Sequence, residues 1–265
     1  MPDISITHID TACMLLEING YRILTDPTLD AAGKLYYHGY GSFSRKTSDP
    51  ALDAGTLKNI DLVLLSHHQH KDNLDVKGKA FALTVPMILS TRPAAKAIKG
   101  ITGMDVWQTI SINTSKIPGL KITATPAQHH PSWVPEFLAG KVIGFVIEFD
   151  GQDDGVIYIS GDTIFFRGIE EVGKRFNIDI GIFNLGAVQF RYLTGFGQYT
   201  MDGKGLVRSA RILQPNTVIP LHYKGWTHFK EKEQHLRRII SSEPQLSKKT
   251  IFLEHGIRTL VKSEK

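Results

Sequence analysis

Short apolar runs alternate with polar turns along most of the chain, which is typical of a mixed α/β protein. Helices are predicted over residues 92–99, 165–176, 201–213 and 230–241. Strands are predicted over residues 4–9, 14–18, 21–24, 61–65, 82–89, 105–110, 120–125, 142–149, 156–159, 178–183, 217–221, 250–254 and 257–261. The first half is mostly β and the second half alternates β and α. We therefore predict one α/β (α+β) domain over residues 1–265.

Two local signals add detail to this pattern. Asn19-Gly20 lies between two β-rich runs and predicts a hairpin, because both turn positions need a positive φ. Residues 28–58 are rich in Gly, Ser, Asp and aromatic residues and show no periodicity. We predict a long loop there, and loops of that length are often functional.

Composition narrows the class of protein. The 265 residues carry a net charge of +5 with scattered basic residues, which suits a small anionic substrate better than nucleic acid. No apolar run approaches the roughly 20 residues of a membrane helix, and the N-terminus lacks a signal-peptide pattern. The single cysteine, Cys13, cannot form an internal disulfide. We expect a cytoplasmic protein without a membrane partner, and the oligomeric state stays open.

The apolar run 62–65 leads directly into a polar stretch that carries three histidines and two aspartates. His68 and His70 are two residues apart, so in extended backbone both imidazoles point to one side, and Asp72 continues the alternation. Two neutral imidazoles and a carboxylate suit a divalent cation such as zinc. A pair of histidines on a polar loop is more often simply solvated. Whether this stretch is part of a metal site therefore depends on whether further ligands follow along the chain.

Three later strands end in the same way. His129 and His130 follow the strand 120–125, Asp162 follows 156–159, and His222 follows 217–221. Each has an ordinary alternative: loop surface for the two histidines, a helix cap for Asp162 and a core histidine for His222. Because strand ends converge at one edge of a sheet, four such ends together predict a metal site.

The order His-x-His-x-Asp, His, Ser-Gly-Asp-Thr and Pro-Leu-His-Tyr, with the early segment 19–27, resembles the metallo-β-lactamase superfamily. More narrowly, it resembles the branch with ascorbate-6-phosphate lactonases and N-acylphosphatidylethanolamine phospholipase D. The resemblance implies a four-layer αββα sandwich. It also implies a first metal on His68, His70 and His129, and a second metal on Asp72 and His222, with Asp162 bridging. His129 is preferred to His130 because Pro-Ala-Gln-His matches the third motif of the family.

Two positions depart from the family pattern. Asn73 stands where the family usually has histidine, and an amide is a weaker zinc ligand. We expect one or two Zn²⁺ ions, with a second site that is weaker or takes Mn²⁺ or Fe²⁺. Asn73 has a second interpretation, as a hydrogen-bond partner of a ligand. Thr11 stands where many relatives carry a histidine.

The resemblance implies a metal-dependent hydrolase that uses a metal-bound hydroxide on a small ester, lactone or phosphodiester. Asp72 is expected to orient the nucleophile or shuttle a proton, and His228 to protonate the leaving group. The alternatives are a metal-dependent nuclease and a non-catalytic metal-binding scaffold or sensor. Pocket candidates are Trp226, residues 189–192, Tyr36, Tyr37 and Phe43.

Overall fold

The computed structural model describes residues 3–39, 41–190 and 194–263. The helices of these residues are α1 (Val76–Ala82), α2 (Arg92–Ala97), α3 (Glu136–Ala139), α4 (Arg167–Arg175), α5 (Gly203–Leu213), α6 (Glu233–Ser241) and α7 (Pro244–Lys249). The strands are β1 (Ile4–Asp10), β2 (Cys13–Ile18), β3 (Tyr21–Thr25), β4 (Leu35–Gly39), β5 (Ser42–Arg45), β6 (Leu62–Leu64), β7 (Ile88–Thr91), β8 (Thr102–Met104), β9 (Thr109–Ser111), β10 (Lys121–Pro126), β11 (Ile143–Glu148), β12 (Val156–Asp162), β13 (Ile178–Asn184), β14 (Thr217–Leu221) and β15 (Arg258–Lys262).

Two large sheets face each other. The first has the strand order β15-β1-β2-β3-β6-β7-β8 and the second the order β14-β13-β12-β11-β10-β9. Between them lies an aliphatic core that includes Ile6 and Leu16 from the first sheet and Ile122 and Ile182 from the second, all fully buried. Removing this surface from water is the main force that holds the sheets together.

Helices cover the outer face of each sheet. Ile169 of α4, Leu206 of α5 and Leu236 of α6 pack in the cluster outside the second sheet. Ala82 at the end of α1 and Ile98 after α2 pack outside the first. The layers are therefore helix, sheet, sheet and helix, and the predicted four-layer αββα sandwich is confirmed.

Several predicted boundaries differ from the structure. The run 82–89 was expected to be one strand, but it contains the end of α1, a turn and the start of β7. Asp75 caps α1 by accepting a 2.7 Å hydrogen bond from the Gly78 backbone, and the helix that begins there extends to Ala82, the first residue of this run. Residues 250–254 are not a strand; the helix α7 precedes them, with a proline in its first turn. A strand was predicted over residues 105–110. Residues 105–108 instead connect β8 to β9, and only the last two residues of the range belong to β9.

The segment 28–58 is less irregular than predicted, because β4 and β5 form a two-stranded ribbon within it. Lys46, directly after the ribbon, is fully buried. Its Nζ lies 2.5 Å from Asp10 Oδ2, 2.6 Å from the Asp30 carbonyl and 3.6 Å from Asp75 Oδ2. A lysine buried this deeply is stable only when it is paired, so the segment is held at one defined position.

The carboxyl ends of the strands meet at one edge of the sandwich. β3 and β6 are parallel in the first sheet, and β12, β13 and β14 are parallel in the second. Backbone hydrogen bonds cross between the sheets at this edge, from Ile143 N to Ser66 O (3.2 Å) and from His222 N to Thr11 O (3.1 Å). The residues that the sequence singles out as ligands therefore lie beside one another.

In the part of the chain that the structure describes, no helix has the length and apolar character needed to cross a membrane. The single domain over residues 1–265, the cytoplasmic location and the lack of a nucleic-acid or membrane partner stay predictions.

His8 on β1 gives the fold a predictable pH dependence. Burial lowers the pKa of His8 from 6.5 to about 4, so the unfolded chain binds a proton there before the folded chain does. The free energy of unfolding should therefore fall as the pH drops from 7 to 5, by about 2 kcal/mol from this residue. Urea unfolding of the metal-free protein at both pH values measures this change. The fall in the free energy of unfolding between pH 7 and pH 5 should be smaller in His8→Gln than in the parent protein by that amount. An equal drop in both proteins would contradict the assignment.

Candidate metal centre

Three imidazoles meet at the ends of the loop after β6 and the loop after β10. His70 Nδ1 lies 3.1 Å from His67 Nε2 and 3.0 Å from His129 Nε2. Burial lowers the pKa of all three side chains, and that of His67 and His129 falls well below 6.5. Their nitrogens therefore present lone pairs to a common point at neutral pH, as a metal ion requires.

The orientation of His67 is set from behind by two other side chains. Asp26 Oδ1 accepts hydrogen bonds from the Ser66 backbone N–H (2.7 Å) and from Ser66 Oγ (2.9 Å). Since the hydroxyl proton is used on Asp26, His67 Nδ1 must donate to Ser66 Oγ, which lies 2.9 Å away. His67 Nε2 is then unprotonated and faces the other two imidazoles.

A second cluster joins two carboxylates and one imidazole. His222 Nε2 lies 3.3 Å from Asp72 Oδ2 and 3.5 Å from Asp162 Oδ2. His222 Nδ1 donates to the Leu185 carbonyl at 3.1 Å, and Asn184 Nδ2 donates to Asp162 Oδ1 at 2.8 Å. His222 also has a φ of 57°, a left-handed conformation that costs energy in a non-glycine residue and is common at functional sites.

The charged groups of this second cluster shift one another's pKa values. Burial lowers the pKa of His222, but the carboxylates of Asp162 and Asp72 outweigh it and raise the value to about 9. Burial raises the pKa of Asp72, yet hydrogen bonds from His222 and His228 hold it well below 3.8. Burial and the Asp72 charge raise the pKa of Asp162. Two carboxylates this close need a positive charge, which a protonated His222 or a metal ion supplies.

The geometry of both clusters fits metal ions. Within each set of three residues, the ligand atoms lie within 4.8 Å of one another. A tetrahedral zinc ion with Zn–N bonds of about 2.0 Å holds its nitrogen ligands about 3.3 Å apart, close to the spacing of the three imidazoles. Asp72 Oδ1 and Asp162 Oδ2 are buried and have no hydrogen-bond partner in the described residues. Buried carboxylate oxygens without partners are costly, and a cation would stabilise both.

His68 is not part of either cluster, which corrects the choice made from the sequence. That choice assumed extended backbone, whereas the chain bends at His68 and Gln69. The bend points His67 and His70 to the same place although they are three residues apart. The remaining predicted ligands His70, Asp72, His129, Asp162 and His222 are brought together. His130 lies outside, with its Nδ1 3.0 Å from the Pro131 carbonyl.

The pocket candidates divide into those near the clusters and those away from them. His228 Nε2 lies 2.9 Å from Asp72 Oδ2, and Trp226 packs against His228 with ring centroids 5.7 Å apart. Tyr37 and Phe43 are more than half exposed on the outer face of the β4–β5 ribbon. Of the candidate segment 189–192, Arg191 and Tyr192 lie outside the described residues.

A narrow chamber of about 50 Å³ opens above the two clusters. Its walls include apolar side chains and two further histidines: Ala139, Val188, Phe190, Tyr199, His38 and His228. Phe190 stacks on His228 with ring centroids 5.5 Å apart and planes 13° apart. The chamber therefore admits one small reacting group and holds it against the ligand side chains.

Sequence reasoning missed several residues of the centre. Asp26 and Asn184 each end an apolar strand, the same signal that identified Asp162 and His222. Ser66 and His67 were visible in the histidine stretch, but their roles depend on the bend at His68. His38 carried no signal, because nothing in the sequence predicts that the β4–β5 ribbon folds over the clusters.

The chain matches a family model described as Beta-lactamase superfamily domain over residues 21–223. A metal-dependent hydrolase of Methanosphaerula palustris is 28% identical over 187 residues, which are 67% of this chain and 75% of that protein. A metal-dependent hydrolase of Pyrococcus furiosus is 25% identical over 260 residues, 96% and 97% of the two chains.

A solved structure described as a possible metal-dependent hydrolase from Veillonella parvula superposes with a TM-score of 0.81 at 22% identity, covering 97% and 98% of the two chains. At that identity the likeness concerns the fold. The general prediction of a metal-dependent hydrolase is confirmed by the family match and the named relatives. The family match spans most of the chain and contains every residue of the two clusters, so the chain belongs to the β-lactamase superfamily.

Proposed function

We propose that this metal-dependent hydrolase cleaves a small anionic ester, lactone or phosphodiester at the edge where the two clusters meet. The observation that carries the proposal is the pairing of three neutral imidazoles with a carboxylate-rich cluster at the floor of one narrow chamber. The narrower resemblance to ascorbate-6-phosphate lactonases and N-acylphosphatidylethanolamine phospholipase D stays a prediction, as do the nuclease and scaffold alternatives.

In this proposal His67, His70 and His129 hold a zinc ion, because three neutral nitrogens suit a borderline cation. Asp72, Asp162 and His222 form the second site. Asn73 beside them is fully buried, and its amide lies beside the Asp162 carboxylate, where a hydrogen bond from it acts to lower the pKa of Asp162 against the effect of burial. With two carboxylates in its ligand set, the second site favours a harder ion than zinc, such as Mn²⁺ or Fe²⁺.

A divalent ion bound there lowers the pKa of water and stabilises the negative charge that develops on a carbonyl or phosphoryl oxygen. The protein's own residues do the rest. Val188, Phe190 and Tyr199 line the chamber and restrict water to the reacting position. Asn184 fixes one oxygen of Asp162, so the other is free to face the cluster.

His228 is placed to move a proton. Its Nε2 bonds Asp72 Oδ2, and its Nδ1 is buried without a partner in the described residues. When Nε2–H donates to Asp72, Nδ1 is unprotonated and can take the proton that the attacking water loses as its oxygen bonds to the substrate. Asp72 then stabilises the resulting imidazolium, which returns the proton to the leaving oxygen.

The choice between His67 and His68 is directly testable. His67→Ala should lower the metal content by about one ion per chain, because the three-nitrogen site loses a ligand. His68→Ala serves as the matched control and should keep the metal content of the parent protein. Elemental analysis of both variants decides the matter. Metal loss in His68→Ala alone would restore the assignment made from the sequence.

The Asp26–Ser66–His67 arrangement predicts a weaker zinc site when the hydroxyl is removed. Ser66→Ala should lower zinc affinity about 10- to 100-fold, because His67 loses the partner that fixes its tautomer. Ser90→Ala is the control, since Ser90 is also fully buried but its Oγ has no hydrogen-bond partner among the residues that the structure describes. Competition against a chromogenic chelator measures both variants, and equal affinities would show that Ser66 does not act on the metal.

The proposed reaction is tested with 4-nitrophenyl acetate, a thiolactone and bis(4-nitrophenyl) phosphate on metal-loaded protein. His228→Gln should lower kcat about 100-fold on the substrate that is cleaved, because the proton carrier is lost. Its metal content should stay unchanged. His130→Gln, a histidine outside both clusters, should keep the activity of the parent. Full activity in His228→Gln would remove it from the mechanism, and no turnover of any substrate would count against the proposal.

A further inference from the structure

A second and larger cavity, of about 470 Å³, lies beside the narrow chamber. The two share His38, His70 and Ala139 in their walls, so a molecule whose reacting group enters the chamber extends into this outer cavity. The chamber, at about 50 Å³, is too small for more than the reacting group. Recognition of the remainder of the substrate therefore falls to the residues of the outer cavity.

His68 lies in the wall of the outer cavity. Its side chain is partly buried, and Nδ1 is closed to solvent. Nε2 is not among the buried atoms, so it is the ring nitrogen that a molecule in the cavity can reach. The histidine that the metal clusters leave out thus offers Nε2 for hydrogen bonding at the place where a substrate would extend.

The wall around His68 is held in place by hydrogen bonds and close packing. Gln69 Oε1 accepts a hydrogen bond from the His68 backbone at 3.1 Å, and Gln69 Nε2 donates to the Lys141 carbonyl at 3.2 Å. A Cβ atom on Gly140 would lie only 2.1 Å from Gln69 Nε2, and Gly140 has a φ of +83°. Glycine is therefore required there, and the loop after β6 is joined closely to the loop before β11.

The charges around the outer cavity are mostly positive. Lys141 lies in its wall and is exposed. Lys71 and Lys79 are close enough to act on His68, since burial and then these two charges lower the pKa of that imidazole. Glu136 is the acidic residue of the wall. The wall itself carries one lysine and one glutamate, and Lys71 and Lys79 add positive charge on the side of His68, where an oxyanion is favoured over a cation.

We propose that the outer cavity binds an anionic group of the substrate, a carboxylate or a phosphate, with Lys141 supplying the charge and His68 a hydrogen bond. The inference rests on the proposed function for the reaction in the chamber, but anion binding requires no turnover. The substrate is then an anion whose charged group is separated from the scissile bond by the distance between the two cavities.

Calorimetric titration of the metal-loaded protein with succinate, and separately with inorganic phosphate, tests the proposal. Lys141→Gln should weaken binding of the recognised anion about tenfold, the loss expected for one charge-assisted hydrogen bond. Lys121→Gln is the matched control, because this exposed lysine begins β10 at the end away from the clusters. His68→Ala should weaken binding in the same direction as Lys141→Gln.

The two anions distinguish the two kinds of group. If Lys141→Gln weakens binding of succinate alone, the cavity recognises a carboxylate, and if it weakens binding of phosphate alone, the cavity recognises a phosphate. Weaker binding of both anions indicates a general oxyanion site. If Lys141→Gln and Lys121→Gln bind both anions as the parent does, the proposal is overturned. Binding that depends on the metal but not on Lys141 would likewise overturn it, since the anion would then be held by the ion.

Kinetics separate this inference from the proposed function. With mono(4-nitrophenyl) succinate, Lys141→Gln should raise KM and leave kcat unchanged, whereas neutral 4-nitrophenyl acetate should show no change. Absence of hydrolysis in the parent protein would count against the proposed reaction alone. Normal hydrolysis with an unchanged KM for the charged ester would count against the anion site alone.

Discussion

The candidate centre depends on one buried carboxylate, that of Asp26. Asp26 directly follows β3, and its Oδ1 accepts two hydrogen bonds from Ser66, which follows the neighbouring strand β6. Burial and the Asp162 charge raise its pKa to about 8. Because Oδ1 already accepts two hydrogen bonds, Oδ2 is the oxygen left to carry a proton. This contact fixes the direction of the loop after β6, which carries His67, His68 and His70, and it fixes the tautomer of His67.

Lys46 holds the segment 28–58 in place, as Asp26 holds the loop after β6 that carries the histidines. It brings together Asp10 at the end of β1, the Asp30 carbonyl, and Asp75, which caps α1 just after the histidine loop. Asp75 Oδ2 in turn accepts a 2.6 Å hydrogen bond from the Asp30 backbone. Buried charges of this kind add little net stability but tolerate few alternative arrangements. The β4–β5 ribbon, and with it His38, is thereby fixed above the clusters.

Most of the sandwich was predictable because its strands are short apolar runs bounded by turn residues, as Asn19-Gly20 shows for the β2–β3 hairpin. The ligands were predictable as polar residues at strand ends. What the sequence did not reveal depends on contacts between distant segments. One case is the bend at residues 68–69, which places His67 and not His68 beside His70 and His129. Another is α1, whose seven residues form a helix because Asp75 caps them and Gly78 packs against Pro27.

The two clusters draw their side chains from both halves of the sandwich. His67, His70 and Asp72 follow a strand of the first sheet, whereas His129, Asp162 and His222 follow strands of the second. An ion held by residues from both sets is a cross-link between layers that are otherwise joined mainly by apolar contacts. Its binding free energy is then also free energy of assembly, so the availability of metal in the cell would set how long the folded protein persists as well as whether it reacts.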